Sequence, residues 1–257
     1  MLFILEHQSC TVKWSGAMSK EFHVSNGVRQ GSVSSAILFG VYIDGLLLLL
    51  EKSRLGRHID NVFVGAFIFA DDILLLSGSR AGLQSLVNIC QTFASCKNLK
   101  FGTNPNPERS KTKCIVFSKR SKEIPDPAPI IFNGRKLPWV KKITHLGSIL
   151  DSDLSMRNDI LAKRGQFIGR VNSLLQEFHF VDSATLMKMI TSYATTFYGS
   201  SLWNLQSKEC EKLYRTWNVT IRTAYNLDRK THRFLIEPIS GLHLKTILLA
   251  RYVTFYQ

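Results

Sequence analysis

The sequence predicts an α+β fold in two parts: short antiparallel hairpins with helices packed on them, then an all-helical region. Three observations predict it. Up to about residue 155, short runs of alternating or continuous apolar residues are separated by turn signals, with two helix-like stretches among them. Asn133-Gly134, a dipeptide that closes tight hairpins, lies between two such runs. From about Arg157 the apolar spacing changes to three and four and strand signals fade. The expected division is therefore 1–155 and 156–257.

Taken in order, TVKW and KEFHV on either side of SGAMS read as a β-hairpin. A helix follows, with Ser32 or Ser34 as its cap and Ile37, Phe39, Val41, Leu46 and Leu49 as a mostly buried surface, until EKSRLGR ends it. VFVGAFIF and ILLLS are expected as two short buried strands with Ala70, Asp71 and Asp72 at the turn. Leu83, Leu86, Val87, Cys90, Phe93 and Ala94 then mark an amphipathic helix over 80–99.

TNPNPERSK and SKRSKEIPDPAP are loops, with TKCIVFSK expected as a strand between them. IIFNGRKLPWV is a hairpin, and ITHLGSILD a further strand or hairpin. Beyond it, Ile160, Phe167, Val171, Leu174 and Phe178 mark one helical face, and Leu186, Met189, Ile190, Tyr193 and Phe197 the next.

Lys and Arg outnumber Asp and Glu by 33 to 19, a net charge of +14, which favours a polyanionic partner over an acidic or neutral one. The excess is local: residues 101–150 hold ten basic against three acidic side chains, and 201–257 nine against four. The five cysteines form no CxxC pair, which argues for reduced thiols inside the cell and against a zinc site. AILFGVYIDGLLLLL is interrupted by Asp44 and is shorter than the roughly 20 residues a membrane span needs, and MLFILEHQS lacks a basic leader, so no membrane or secretory partner is expected.

Asp71 and Asp72 raise the chemical question. Adjacent carboxylates on a tight turn repel unless a cation neutralises them or one is protonated. The alternatives are a helix cap or a solvated loop; the apolar flanks favour a divalent ion, and Mg²⁺ or Mn²⁺ takes carboxylate oxygens together with substrate phosphates. The basic residues 109–122 would suit phosphate handling nearby.

Several stretches together resemble the reverse transcriptases of non-LTR (LINE-type) retrotransposons. FADD (69–72) resembles the [FY]xDD signature, which implies that Asp71 ligates catalytic metal, Asp72 supports it, and Phe69 and Ala70 lie beside template or nucleotide. GVRQGSVSSAILF (27–39) resembles the preceding motif, which implies template or nucleotide contacts for Arg29, Gln30, Gly31 and Ser35; Ser34 and Ala36 stand where the family usually has Leu and Pro. NPNPERSKTKCIVFS resembles the lysine motif, implying that Lys111 assists the pyrophosphate leaving group, with Arg109 and Lys113 as alternatives. HLGSILD resembles the primer grip, placing His145, Leu146 and Gly147 against the primer strand. YATTFYGSSLWNL and THRFLIEPISGLH resemble the thumb and the region after it.

The resemblance implies a partial polymerase palm over 1–155 and a helical thumb or connection region over 156–257. It implies RNA-directed DNA polymerase chemistry on an RNA template, a DNA primer and deoxynucleoside triphosphates (dNTPs), and an intracellular place in the nucleus, the cytoplasm or both, nuclear action following from how such elements insert. The family also uses an aspartate from an earlier strand, and no aspartate precedes Asp44 here. The sequence alone therefore predicts a fragment inactive by itself, or a non-catalytic basic remnant that still binds nucleic acid.

Overall fold

The chain reverses direction in two-residue loops, and these loops set its strand pairings. The structure is a computed structural model and describes residues 8–24, 31–104, 106, 108–118, 127–241 and 243–256. Strand β2 (Lys13–Trp14) turns through Ser15 and Gly16 into β3 (Ala17–Met18), and β5 (His58–Ile59) through Asp60 and Asn61 into β6 (Val62–Phe63). Strand β9 (Ile130–Phe132) turns through Asn133 and Gly134 into β10 (Arg135–Leu137), and β11 (Lys142–His145) through Leu146 and Gly147 into β12 (Ser148–Asp151). In all four, both loop residues take positive φ, the primed-turn conformation that matches strand twist.

A hairpin does form at SGAMS, but TVKW does not pair with KEFHV: Lys13–Trp14 pairs with Ala17–Met18 inside SGAMS, and β1 (Gln8–Cys10) pairs with β4 (Phe22–Val24) outside it. The segment VFVGAFIF is not one strand. Val62–Phe63 pairs backwards with His58–Ile59, and a new strand, β7 (Ala66–Phe69), pairs with β8 (Asp72–Leu75). Nor is that ribbon buried throughout, since Phe67 and Phe69 are 49% and 66% exposed. Among its described residues TKCIVFSK forms no strand: it makes an isolated bridge from Cys114 to Trp139, with backbone bonds from Val140 to Cys114 and from Ser118 to Ser152.

Helix α1 (Ser35–Lys52) starts at Ser34, whose hydroxyl meets that of Ser32 at 3.1 Å instead of capping a backbone amide. Its buried stripe is Ile43, Leu46 and Leu50. The face expected from Ile37, Val41 and Leu49 is exposed, because a helix that is apolar all round does not reveal its inward side by periodicity. Helix α2 (Arg80–Lys97) follows its predicted pattern, capped by Ser79, with Leu86, Val87, Cys90, Phe93 and Ala94 inward. Its glutamines act as backbone mimics: Gln84 both donates to the Ile131 carbonyl and accepts from the Ile131 amide, and Gln91 accepts from the Asn133 amide.

Helix α3 (Arg157–Glu177) buries Ile160, Phe167, Val171 and Leu174, as its spacing predicts. Helix α4 (Ser183–Met189), capped by Asp182, runs into a π turn at Ile190–Ala194; Leu186, Ile190 and Phe197 are inward and Tyr193 is exposed. Helices α5 (Lys208–Ala224), α6 (Arg233–Ser240) and α7 (Leu244–Tyr256) complete the helical region. Among the described residues no helix is long and apolar enough to cross a membrane.

The chain forms two compact units, residues 1–112 with 127–138, and residues 113–126 with 139–257. They cut the chain differently from the ranges 1–155 and 156–257, since the β11–β12 hairpin belongs with the helices. The first core gathers Ile43, Leu46, Leu50, Leu86 and Phe93. The second gathers Phe167, Ile190, Leu213, Trp217, Ile221 and Leu248.

Two outcomes follow from this packing. Phe167 is 1% exposed against Phe197 and Trp217, so Phe167→Ala is expected to lower unfolding free energy in urea by about 3–5 kcal/mol, whereas Val219→Ala, at 58% exposure, changes it by less than about 0.5 kcal/mol. Burial pushes the Cys90 thiol up to about 12 and the Cys114 thiol up to about 11, so both stay protonated at pH 8, and the thiolate is the nucleophile. Thiol titration of the native chain is expected to find Cys10 and Cys96 fast and the buried Cys90, Cys114 and Cys210 slow.

Candidate functional site

Asp71 and Asp72 stand at the β7–β8 turn, with Asp72 opposite Phe69 in the register. The loop residues are Ala70 and Asp71. Ala70 takes φ +50°, a region an L-residue enters at a cost of about 1–2 kcal/mol. Both aspartates are exposed, and among the described residues neither carboxylate accepts a hydrogen bond or forms an ion pair. Water thus screens their repulsion, and their oxygens are available to a cation. The donor type suits a hard divalent ion, but two residues do not complete a site: among the described residues no three His, Cys, Asp or Glu side chains cluster. Asp44, on α1, and Asp60, in the β5–β6 turn, do not join the pair.

Arg29 and Gln30 lie outside the described residues. Gly31 takes φ +83°, and no atom of the described residues lies within 4 Å of where a Cβ would stand. Ser35 is the first residue of α1, which packs on β7 and so ties this turn to the aspartate ribbon. Lys111 is exposed and belongs to the same compact unit as the aspartates; Arg109 does too, whereas Lys113 falls in the other. The Lys111 loop is firmly built: buried Ser110 accepts from the Asn104 amide at 3.2 Å and donates to the Thr112 carbonyl at 2.6 Å, while Thr112 N–H donates to the Gly102 carbonyl at 2.9 Å.

In the second unit, His145, Leu146 and Gly147 form the tip of the β11–β12 hairpin. His145 and Leu146 line a cleft of about 790 Å³ with Tyr198, Leu202, Arg251 and Phe255. Arg251 donates to the Thr195 and Thr196 carbonyls at 2.7 and 2.8 Å, and burial lowers its pKa from the usual value. Gly199, at φ +77°, comes so close that a Cβ there would stand 2.7 Å from Ser148 Oγ. A second cleft of about 390 Å³ runs between α3 and α5, with Arg164, Lys212 and Arg215 beside Ile168 and Val219.

The sequence did not single out Asp159, Lys163, Trp203 or Gly199. The first two read as an ordinary helix-surface pair at i and i+4. Trp203 and Gly199 lie in YATTFYGSSLWNL, where a small residue and an aromatic beside a hairpin motif are the signal available.

The family profile described as "Reverse transcriptase (RNA-dependent DNA polymerase)" matches residues 3–150. The chain is 35% identical over 111 residues to the retrovirus-related Pol polyprotein of the type-2 retrotransposable element R2DM of Drosophila melanogaster, covering 41% of this chain and 10% of that one. It is 31% identical over 100 residues to the Pol polyprotein of element R2 of Nasonia vitripennis, covering 39% and 9%. It is 23% identical over 216 residues to the probable RNA-directed DNA polymerase of the X-element of D. melanogaster, covering 78% and 22%. The chain thus spans less than a quarter of the length of these relatives. With more than half of its own length matched, it belongs to the reverse transcriptase family, of the kind carried by non-LTR retrotransposons.

Proposed function

We propose that the chain supplies part of the RNA-directed DNA polymerase of a LINE-type element, with the β7–β8 tip as the carboxylate mount of a two-metal site. The observation that carries this is the exposed pair Asp71 and Asp72 on a two-residue turn, without a partner among the described residues. Asp71 would hold Mg²⁺ or Mn²⁺ with Asp72 in support, and the ion would supply charge stabilisation at the phosphates of a dNTP. Gly31 and Ser35, on the turn and helix that pack with this ribbon, serve template or nucleotide together with Arg29, Gln30, Phe69 and Ala70. Lys111 offers an ammonium to the departing pyrophosphate, on a loop held by Ser110. The β11–β12 tip, His145 to Gly147, meets the primer strand. In these terms the first unit serves as partial palm and the helices as thumb.

These 257 residues are expected to be inactive alone, since the pair has no third metal ligand beside it among the described residues. What remains is affinity for nucleic acid, carried by exposed Lys136, Lys141 and Lys142 and by the cleft of Arg164, Lys212 and Arg215. Those basic side chains support the second reading, a non-catalytic basic remnant. The two separate on Asp71: a metal site binds ions there, and a remnant has no need to.

In titrations followed by NMR, Mn²⁺ is expected to broaden the amide signals of Ala70, Asp71 and Asp72, and Asp71→Asn to remove the effect; broadening elsewhere only would sink the metal assignment. Template-directed primer extension by this chain is expected to stay at background, and any incorporation that survives Asp71→Asn would do the same. Binding of an RNA–DNA hybrid is expected to weaken steeply with salt, and replacing Lys212 and Arg215 together by Ala to reduce the slope of log affinity against log salt by about 2.

A further inference from the structure

Two charged side chains of α3, one turn apart, are withdrawn from water beneath the β11–β12 hairpin: Asp159 is 2% exposed and Lys163 7%. Buried charges persist only when paired and hydrogen-bonded. Here Asp159 Oδ1 accepts from Lys163 Nζ at 2.7 Å and from the Ile149 amide at 3.0 Å, and Oδ2 accepts from Trp203 Nε1 at 2.8 Å. Lys163 Nζ also donates to the Gly147 carbonyl at 3.1 Å.

The two hairpin contacts fall where the hairpin is weakest. In a ladder closed by a two-residue turn, His145 and Ser148 form the hydrogen-bonded pair and Thr144 and Ile149 do not, so the Ile149 N–H points away from β11. Asp159 takes the place of a third strand there. The turn itself carries Leu146 at φ +45°, a conformation a leucine holds only under constraint, and Lys163 grips the carbonyl of the next residue. Trp203 and Gly199, four residues apart on one segment, close on the same assembly through Asp159 and Ser148.

We infer that Asp159 and Lys163 are positioning residues: a buried ion pair that fixes the direction and rigidity of the turn at 145–148, so that it meets the sugar–phosphate backbone of a primer strand as a preformed surface. Each charge neutralises the other, so the pair acts through the turn and does not serve as the phosphate ligand. This rests on the primer-strand role given to residues 145–147 above. Holding the turn beforehand removes the ordering cost that a loose loop would meet on binding.

The test uses the full chain with Asp159→Leu and Lys163→Met together, because removing both charges avoids leaving either of them buried and unpaired. Amide exchange is read at Ile149, and affinity is read with an RNA–DNA hybrid. The expected result, read well below the variant's melting temperature, is exchange at Ile149 faster by about tenfold or more and affinity lower by about five- to tenfold. Unchanged exchange at Ile149 overturns the inference, and so does faster exchange with unchanged affinity. Should the double variant fail to fold, Trp203→Phe removes one donor alone, and faster Ile149 exchange with weaker hybrid binding is again expected, with unchanged values overturning the inference. His145→Ala separates the two levels: unchanged affinity there removes the primer-strand role itself, while Ile149 exchange, measured without nucleic acid, still reports on the pair.

Discussion

A carboxylate leaves water only where donors replace the water, and Asp159 has three: an ammonium, a backbone amide and an indole N–H. Those donors come from α3 itself, from β12 and from the turn at Ser200–Leu202 with its following tryptophan. Breaking one partner of such a buried pair typically costs about 3–5 kcal/mol, a large part of the 5–15 kcal/mol that holds an ordinary domain together. The hairpin cannot drift from α3 by small steps, because any drift leaves the Ile149 amide and the Gly147 carbonyl without their buried partners. A purely apolar contact in the same place would tolerate sliding, and the pair therefore gives this unit direction as well as adhesion.

What the sequence made legible follows from local chemistry. Asn133-Gly134 closes its hairpin because both residues accept positive φ, and α2 and α3 bury the stripes their spacing marks. The face of α1 was hidden by its own composition, since Ile37, Val41 and Leu49 are as apolar as Ile43 and Leu50, and only the arrival of α2 and β7 chooses between them. TKCIVFSK has strand composition but lacks a partner segment long enough to form a ladder, a property of its neighbours and not of itself. Asp159 and Lys163 carry no sequence mark of burial, because helical spacing of opposite charges looks the same in water as in a core.

At the aspartate pair the local pattern was informative about position and misleading about setting. Apolar flanks imply a buried mount, yet the ribbon has two strands and leaves Phe67, Phe69 and both carboxylates in solvent. Exposure resolves the electrostatic difficulty without a metal: two carboxylates in water repel weakly. Reading them as metal ligands therefore depends less on relief of repulsion than on what the pair leaves open, namely oxygens that no donor among the described residues occupies.

The threading of the two units has a consequence for the order of synthesis. The first unit consists of residues up to 112 and then 127–138, and the late piece is held by side chains of α2, with Gln84 and Gln91 bonded to the backbone at Ile131 and Asn133. A growing chain cannot finish that unit when α2 emerges. It must first make the stretch that belongs to the second unit, then return to the first with β9 and β10. The donors and acceptors of two glutamines wait on the surface of α2 until then, and the first unit closes only after the opening stretch of the second has been made.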